Sequence, residues 1–127
     1  MVHVENKNIS CLMCHEGAIE TSRAGVPPLE TCMLCHEKII SHHPEIQKLH
    51  THYNNNDPIQ WNKVNEMPDF VQFNHSLHTF RKIDCGECHG NIRAMDRVRL
   101  ANEFEMGFCI ECHKEKEASI DCFTCHR

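Results

Sequence analysis

The chain contains five copies of the sequence Cys-x-x-Cys-His, and together they use all ten of its cysteines. We number them motif 1 to motif 5 in chain order, at residues 11–15, 32–36, 85–89, 109–113 and 122–126. Cys-x-x-Cys-His is the attachment signal of c-type haem. Positions i, i+3 and i+4 share one face of a helix, so two thiols can bond to the porphyrin edge while the histidine lies beneath the iron. The repeats therefore predict five covalently bound haems c.

Each motif gives its three fixed residues the same roles. The predicted covalent attachment residues are the cysteines, Cys11, Cys14, Cys32, Cys35, Cys85, Cys88, Cys109, Cys112, Cys122 and Cys125. The predicted proximal ligands of the haem irons are the motif histidines, His15, His36, His89, His113 and His126.

Three other uses of paired cysteines fit this pattern less well. Structural zinc sites commonly need two Cys-x-x-Cys half-sites per ion, so these residues would make only a few irregular sites. A thioredoxin-like dithiol uses one such motif in a βαβ setting. A disulfide framework does not require a histidine after every second cysteine. The regular histidine favours haem.

The composition leaves little apolar material for a conventional core. Only 6% of the 127 residues are aromatic, and the mean hydropathy is −0.52. A small chain of this kind would not fold readily on its own side chains. Five flat apolar macrocycles can supply the core instead, so we expect a mainly α-helical fold with extensive irregular structure and minimal sheet, wrapped around five haems. By analogy with metal-dependent small domains, we expect the apoprotein to be unfolded.

The chain is acidic, with a formal net charge of −5 when histidines are neutral. Haem propionates add about two negative charges each, and each ferric centre offsets about one of them. This balance disfavours nucleic-acid binding. The basic cluster Arg93, Arg97 and Arg99 is expected either to pair with propionates or to face solvent.

The cellular location is inferred from the attachment chemistry. No apolar run approaches the roughly 18 residues of a membrane span, and no signal peptide is recognisable. Because haem c is normally attached outside the cytoplasm, we expect a periplasmic or other extracytoplasmic protein. A signal or membrane anchor is then expected to have preceded Met1.

The motifs divide into a group of two and a group of three. The turn-forming sequence at residues 54–58, Asn-Asn-Asn-Asp-Pro, lies in the long interval between the groups. We therefore predict an N-terminal two-haem segment, residues 1–56, and a C-terminal three-haem segment, residues 57–127, within one compact unit.

Local patterns predict a few helices and one extended segment. The predicted helices cover residues 39–52, 75–82 and 109–118, and the extended segment covers residues 69–73.

Seven histidines remain after the proximal ligands are assigned, and five bis-histidine haems would need five of them. The candidate distal ligands are His3, His42, His43, His50, His52, His75 and His78. Between motifs 3 and 4 there is no further histidine, but Met95 and Met106 occur there. Methionine as the sixth ligand raises the reduction potential. Met106 is therefore a candidate ligand for the haem of motif 5, and the alternative is that it is a packing residue.

Residues 75–78 form a His-x-x-His sequence shortly before motif 3. Here the chain resembles the small class III multihaem cytochromes, in which such a pair ligates two haems. The resemblance implies a class III-like fold. It also implies that His75 ligates the haem of motif 3 and His78 the haem of motif 4.

Longer segments resemble the pentahaem cytochrome subunit of alternative complex III, a bacterial membrane assembly that oxidises quinol. They are SRAGVPPLETCMLCH at residues 22–36, PIQWNKV at 58–64, MPDFVQFNHSLH at 67–78 and MGFCIECH at 106–113. The resemblance implies an electron-transfer role beside other redox proteins or subunits of a membrane respiratory complex.

Two positions depart from that family. His3 matches only the second histidine of a His-x-x-His that the family carries before motif 1, and Asn65 stands where the family tends to have a histidine. The four histidines between residues 42 and 52 are the candidates to replace the missing ligand.

The motifs favour electron transfer over catalysis. Every motif ends in histidine, and enough further ligands exist to saturate all five irons, so we predict no catalytic residue. The predicted role is that of a relay subunit of a quinol-oxidising or related complex. The alternatives are a free periplasmic shuttle, a self-associating unit of an extracellular haem wire, and a reductase of a small nitrogen or sulfur species.

Overall fold

The computed structural model describes residues 2–126, which form short helices joined by irregular segments. The α-helices are α1 (Cys11–Cys14), α2 (Gly17–Glu20), α3 (Leu29–His36), α4 (Pro44–Asn54), α5 (His75–Phe80), α6 (Cys85–His89), α7 (Met106–Glu115) and α8 (Cys122–Cys125). A π-helical turn spans Val2–Asn6 and a 3₁₀ turn spans Ile92–Ala94. Within the described residues, β pairing is limited to one antiparallel bridge between Val71 and His126. The predicted mainly helical fold with minimal sheet is confirmed.

Helix α4 begins later than predicted. Its first residue is Pro44, whereas the sequence pattern placed the start at residue 39. Proline has no amide hydrogen and its ring clashes with the preceding turn, so it is tolerated at the start of a helix but not inside one. His43 completes the start, because its Nδ1 accepts a hydrogen bond from the Glu45 amide at 3.2 Å.

Two other helix predictions and the extended segment also need correction. Helix α5 ends at Phe80, and Lys82 has a left-handed φ of 57° that cannot continue the helix. Helix α7 begins at Met106 and ends at Glu115, three residues before the predicted positions at both ends. The predicted extended segment is reduced to the bridge at Val71, where the Gln72 amide donates to the Cys125 carbonyl at 2.8 Å, and residues 69 and 70 form a turn.

Helix α5 packs on α2 and so joins the two groups of motifs. The Thr79 hydroxyl donates a hydrogen bond to the Ala18 carbonyl at 2.7 Å. The Ser76 amide donates to the Thr21 carbonyl at 3.1 Å. These contacts hold the His-x-x-His helix beside the chain that follows motif 1. The division at residues 56 and 57 stays a prediction.

Protein side chains alone bury very little. Among the described residues, the buried hydrophobic side chains are Ala18, Met33 and Ile46. The chain exposes 10178 Å², whereas a compact monomer of this mass would expose about 7,000 Å². Leu34, Phe80 and Phe123 are each at least 77% exposed. The polypeptide is therefore an open framework with many accessible apolar groups.

Candidate metal centres

All five Cys-x-x-Cys sequences are helical, and local capping explains three of them. The Ser10, Asp84 and Asp121 side chains accept hydrogen bonds from amides two residues later, at 3.2, 2.8 and 2.9 Å. An N-cap of this type starts a helix at the next residue. Motifs 1, 3 and 5 therefore begin with their first cysteine at the first helical position, and the second cysteine lies one turn away.

Hydrogen bonds to backbone carbonyls orient most of the motif histidines. Four donate from Nδ1: His15 to Gly25 at 2.6 Å, His36 to Ile39 at 3.2 Å, His113 to Ser119 at 2.6 Å, and His126 to Phe70 at 3.3 Å. A donor at Nδ1 leaves the lone pair of the neutral ring on Nε2, which is the arrangement found in metal-ligating histidines. These four carbonyl partners were not predicted from the sequence, because they depend on the folded backbone.

His89 is the exception among the motif histidines. Its Nδ1 is buried and has no hydrogen-bond partner within residues 2–126. Burial lowers the pKa of His89, and the neighbouring His75 and His15 lower it further. The lowered pKa favours the neutral ring, which is the form that binds a metal ion.

Three motif histidines face a second imidazole. The ring centres of His75 and His89 lie 6.5 Å apart with the planes 5° from parallel. Those of His78 and His113 lie 6.2 Å apart. His3 faces His36 with 3.4 Å between the Nε2 atoms.

The ring-centre separations of the first two pairs match the spacing expected of two ligands on one metal ion, whereas the 3.4 Å between the Nε2 atoms of His3 and His36 is shorter than that spacing. A metal–imidazole bond is about 2.0–2.1 Å long, so opposed ligands place their nitrogens about 4 Å apart and their ring centres about 6 Å apart. His75 and His78 also have the orienting bond, since Nδ1 donates to the Ser22 carbonyl at 3.0 Å and to the Asn74 carbonyl at 2.7 Å. The geometry agrees with the predicted roles of His75 and His78 toward motifs 3 and 4. It also places His3, a predicted distal ligand with no predicted motif, against the histidine of motif 2.

The donor set fits haem better than a simple metal ion. Within residues 2–126, no three His, Cys, Asp or Glu side chains converge as a metal site. The ten cysteines form no disulfide. The described residues contain three pairs of facing imidazoles. Each motif histidine has two cysteines of the same motif beside it, and exposed apolar side chains are numerous. That combination suits a flat apolar macrocycle with a hexacoordinate iron.

Comparison with known proteins agrees with this geometry. Residues 71–127 match the family model of cytochrome c7 and related cytochrome c. This segment, which contains motifs 3, 4 and 5, is a cytochrome c7-type multihaem domain. The chain is also similar to the multiheme cytochrome c subunit of the menaquinone reductase of Nitratidesulfovibrio vulgaris strain Hildenborough. The two are 24% identical over 153 aligned positions, which cover 99% of this chain and 73% of the relative.

The cytochrome's four clustered histidines differ in how their ring nitrogens are used. The cap of α4 fixes the tautomer of His43. Its Nδ1 accepts a hydrogen bond, so the neutral ring carries its proton on Nε2. His50 directs Nε2 to the His36 carbonyl at 3.0 Å. His52 directs Nδ1 to Asp57 and leaves Nε2 available. His42 is exposed, just before the cap of α4.

Thiols of motifs 2, 1 and 3 are neighbours in the cytochrome. Burial raises the pKa of Cys32, and the nearby Cys14 thiol raises it further. Burial likewise raises the pKa of Cys85, with a second contribution from Cys11, to which Cys85 is hydrogen-bonded. Cys11 and Cys85 both line a cavity of about 330 Å³ that is also lined by Arg93. Motif 1 therefore lies between motifs 2 and 3.

Thiols of motifs 3, 4 and 5 are also neighbours. Burial raises the pKa of Cys88, followed by the effects of Cys112 and Cys109. Burial and then Cys125 raise the pKa of Cys109. An ion pair between Lys116 and Glu87, at 3.0 Å, also ties α7 to α6. Neighbouring thiols thus connect the motifs in the succession 2, 1, 3, 4, 5.

Met106 is the first residue of α7, and its side chain is 66% exposed. If it ligates the haem of motif 5, we expect Met106→His to lower one of the midpoint potentials, because a thioether ligand favours the ferrous state more than imidazole does. A spectroelectrochemical redox titration measures this change. Met106→Leu, which keeps the bulk but removes the sulfur, should turn the same haem high-spin. Unchanged potentials and spin states in both variants would make Met106 a packing residue.

Proposed function

We propose that this cytochrome carries electrons along five haems c as a relay subunit of a respiratory complex that exchanges electrons with quinones. The observation that carries the proposal is the unbroken order of neighbouring motifs, 2, 1, 3, 4, 5. Haems attached at adjacent thiols lie close together, and closely spaced haems pass electrons between them. The proposal therefore makes motifs 2 and 5 the two ends of the relay.

Haem supplies one-electron chemistry at iron when it is bound, and the chain's residues control where and at what potential this happens. The cysteines would hold each macrocycle, and backbone carbonyls orient four of the five motif imidazoles. His3, His75 and His78 would complete the coordination of three irons and leave no open position there for a substrate. Axial ligands, burial and nearby hydrogen bonds are the features that set the potentials.

The similarity to a menaquinone reductase subunit supports a quinone-linked complex. Within the described residues, no helix is long and apolar enough to cross a membrane. The proposal therefore assigns contact with the membrane-embedded quinone site to partner subunits, and this cytochrome would lie on the extracytoplasmic side.

The covalent stoichiometry is the first test. Mass spectrometry under denaturing conditions should find five haems on each chain, because each motif supplies two thioethers. The reduced protein should be low-spin, and its visible spectrum should not change with carbon monoxide. Free thiols or bound zinc in the mature protein would contradict the haem count, and a carbon monoxide adduct would instead favour the reductase alternative.

Isolation of the native complex tests the relay role. The cytochrome should co-purify with subunits that react with menaquinol, and menaquinol should reduce its haems only when those subunits are present. A chain recovered alone and competent as a diffusing carrier would indicate a free shuttle. A homopolymer would indicate a haem wire.

A further inference from the structure

The last turn of α4 carries a histidine that is held by a carboxylate. Nδ1 of His52 lies 3.0 Å from Oδ2 of Asp57 and 3.2 Å from the backbone carbonyl oxygen of the same residue. Among the described residues, no other histidine forms an ion pair with an acidic side chain. The His52 side chain is 36% exposed, so its environment is intermediate between core and solvent.

The end of α4 explains why Asp57 faces His52. Asn56 has a left-handed φ of 52°, a conformation that asparagine tolerates better than most residues. The Asn56 amide then donates to the Tyr53 carbonyl at 3.1 Å, and the Asp57 amide donates to the His52 carbonyl at 2.9 Å. This pair of bonds is the Schellman motif that ends many helices. It reverses the direction of the chain, so that Asp57 lies directly over the last turn of α4.

This contact leaves His52 ready to bind a metal ion through Nε2. The carboxylate and the carbonyl oxygen both accept from Nδ1–H, so the lone pair of the neutral ring is on Nε2. A carboxylate that accepts from the distant nitrogen of a ligating histidine fixes the tautomer and raises the basicity of the ligand. Two of the other clustered histidines differ from His52 in this respect, because His43 uses its Nδ1 lone pair to accept from the Glu45 amide and His50 directs Nε2 to the His36 carbonyl.

We propose that His52 is the sixth ligand of the haem of motif 1 or motif 5, and that Asp57 is a positioning residue that lowers the potential of that haem. The inference rests on the proposed function, because it requires these motifs to carry haem. Motifs 2, 3 and 4 already have facing imidazoles, which leaves motifs 1 and 5 in need of a ligand. Asp57 would act by increasing electron donation from His52, which stabilises the ferric state.

Two substitutions on the intact holoprotein test the two parts of the inference. His52→Ala should turn one haem high-spin in the electron paramagnetic resonance spectrum. Asp57→Asn should leave all haems low-spin but move one midpoint potential upward, because the amide oxygen accepts the hydrogen bond without the negative charge. Asp57→Glu, which keeps the carboxylate, should restore most of the original potential.

Matched variants separate this effect from structural damage. His52→Met keeps a ligand atom at the position and should give a low-spin haem with a raised potential even if His52→Ala folds poorly. Glu66→Gln removes the same charge from an exposed side chain that pairs with Lys63 and should move no single potential selectively.

The inference is overturned if His52→Ala keeps every haem low-spin, or if Asp57→Asn shifts no potential more than Glu66→Gln does. In either case Asp57 serves only to end α4, and five haems in the same preparation would leave the proposed function intact. Fewer than five haems in the unmodified protein would contradict the proposed function itself.

Discussion

The full chain produced without haem attachment is expected to be unfolded. Burial of Met33 and Ile46 stabilises the fold by about 1.5–3 kcal/mol each, whereas ordering the backbone costs about 1–2 kcal/mol for every residue. The protein's own core is thus far too small to order a chain of 127 residues. Far-ultraviolet circular dichroism and hydrogen exchange of apoprotein and holoprotein measure the difference. We expect little helix and no protected amides in the apoprotein, against cooperative melting of the holoprotein.

Removal of single haems provides a graded control for this prediction. Replacing Cys122 and Cys125 with serine removes attachment at one end of the series, while replacing Cys85 and Cys88 removes it between motifs 1 and 4. The central pair should lower the melting temperature more, because Cys85 and Cys88 have thiols of motifs 1 and 4 as neighbours, whereas Cys122 is exposed. An apoprotein with native helix content and a cooperative melting transition would contradict a haem-dependent core.

The residue pattern predicted the haem attachment motifs more accurately than it predicted the bounds of the helices. Cys-x-x-Cys-His alone indicates haem attachment, because the spacing, the thiols and the imidazole all belong to one short segment. The N-caps at Ser10, Asp84 and Asp121 each immediately precede a motif, but no helix start was predicted at those positions. The predicted start of α4 at residue 39 was wrong, because proline is not tolerated inside a helix and α4 therefore begins at Pro44.

The choice of distal ligands could be predicted only in part. The His-x-x-His sequence and the family resemblance together named His75 and His78, and the structure brings each beside the motif expected of it. The four clustered histidines are indistinguishable by residue type. Their differences arise from a cap at His43 and from a chain reversal at Asn56, and both depend on folded backbone geometry. The spatial order of the motifs likewise depends on contacts between distant segments, which spacing along the chain does not determine.

The two histidines of α5 give the sharpest test of the coordination scheme. His75→Ala and His78→Ala should each leave five haems attached but turn one haem high-spin, and the affected haem should differ between the variants. The reason is that His75 faces His89 of motif 3, whereas His78 faces His113 of motif 4. Electron paramagnetic resonance and the carbon monoxide difference spectrum detect the change, and the double variant should show two high-spin haems.

The matched control is His43→Ala. It also removes one imidazole, but from a ring whose Nδ1 caps α4. We expect this variant to keep every haem low-spin and to lose about 0.5–2 kcal/mol of stability, as is typical when a helix cap is deleted. His75→Ala also removes the hydrogen bond to the Ser22 carbonyl, which is worth about 1 kcal/mol, so the two variants should be similarly stable. A difference in spin state between them would then reflect ligation rather than unfolding. If both α5 variants keep all haems low-spin, the facing rings are packing contacts and other residues complete the haems of motifs 3 and 4.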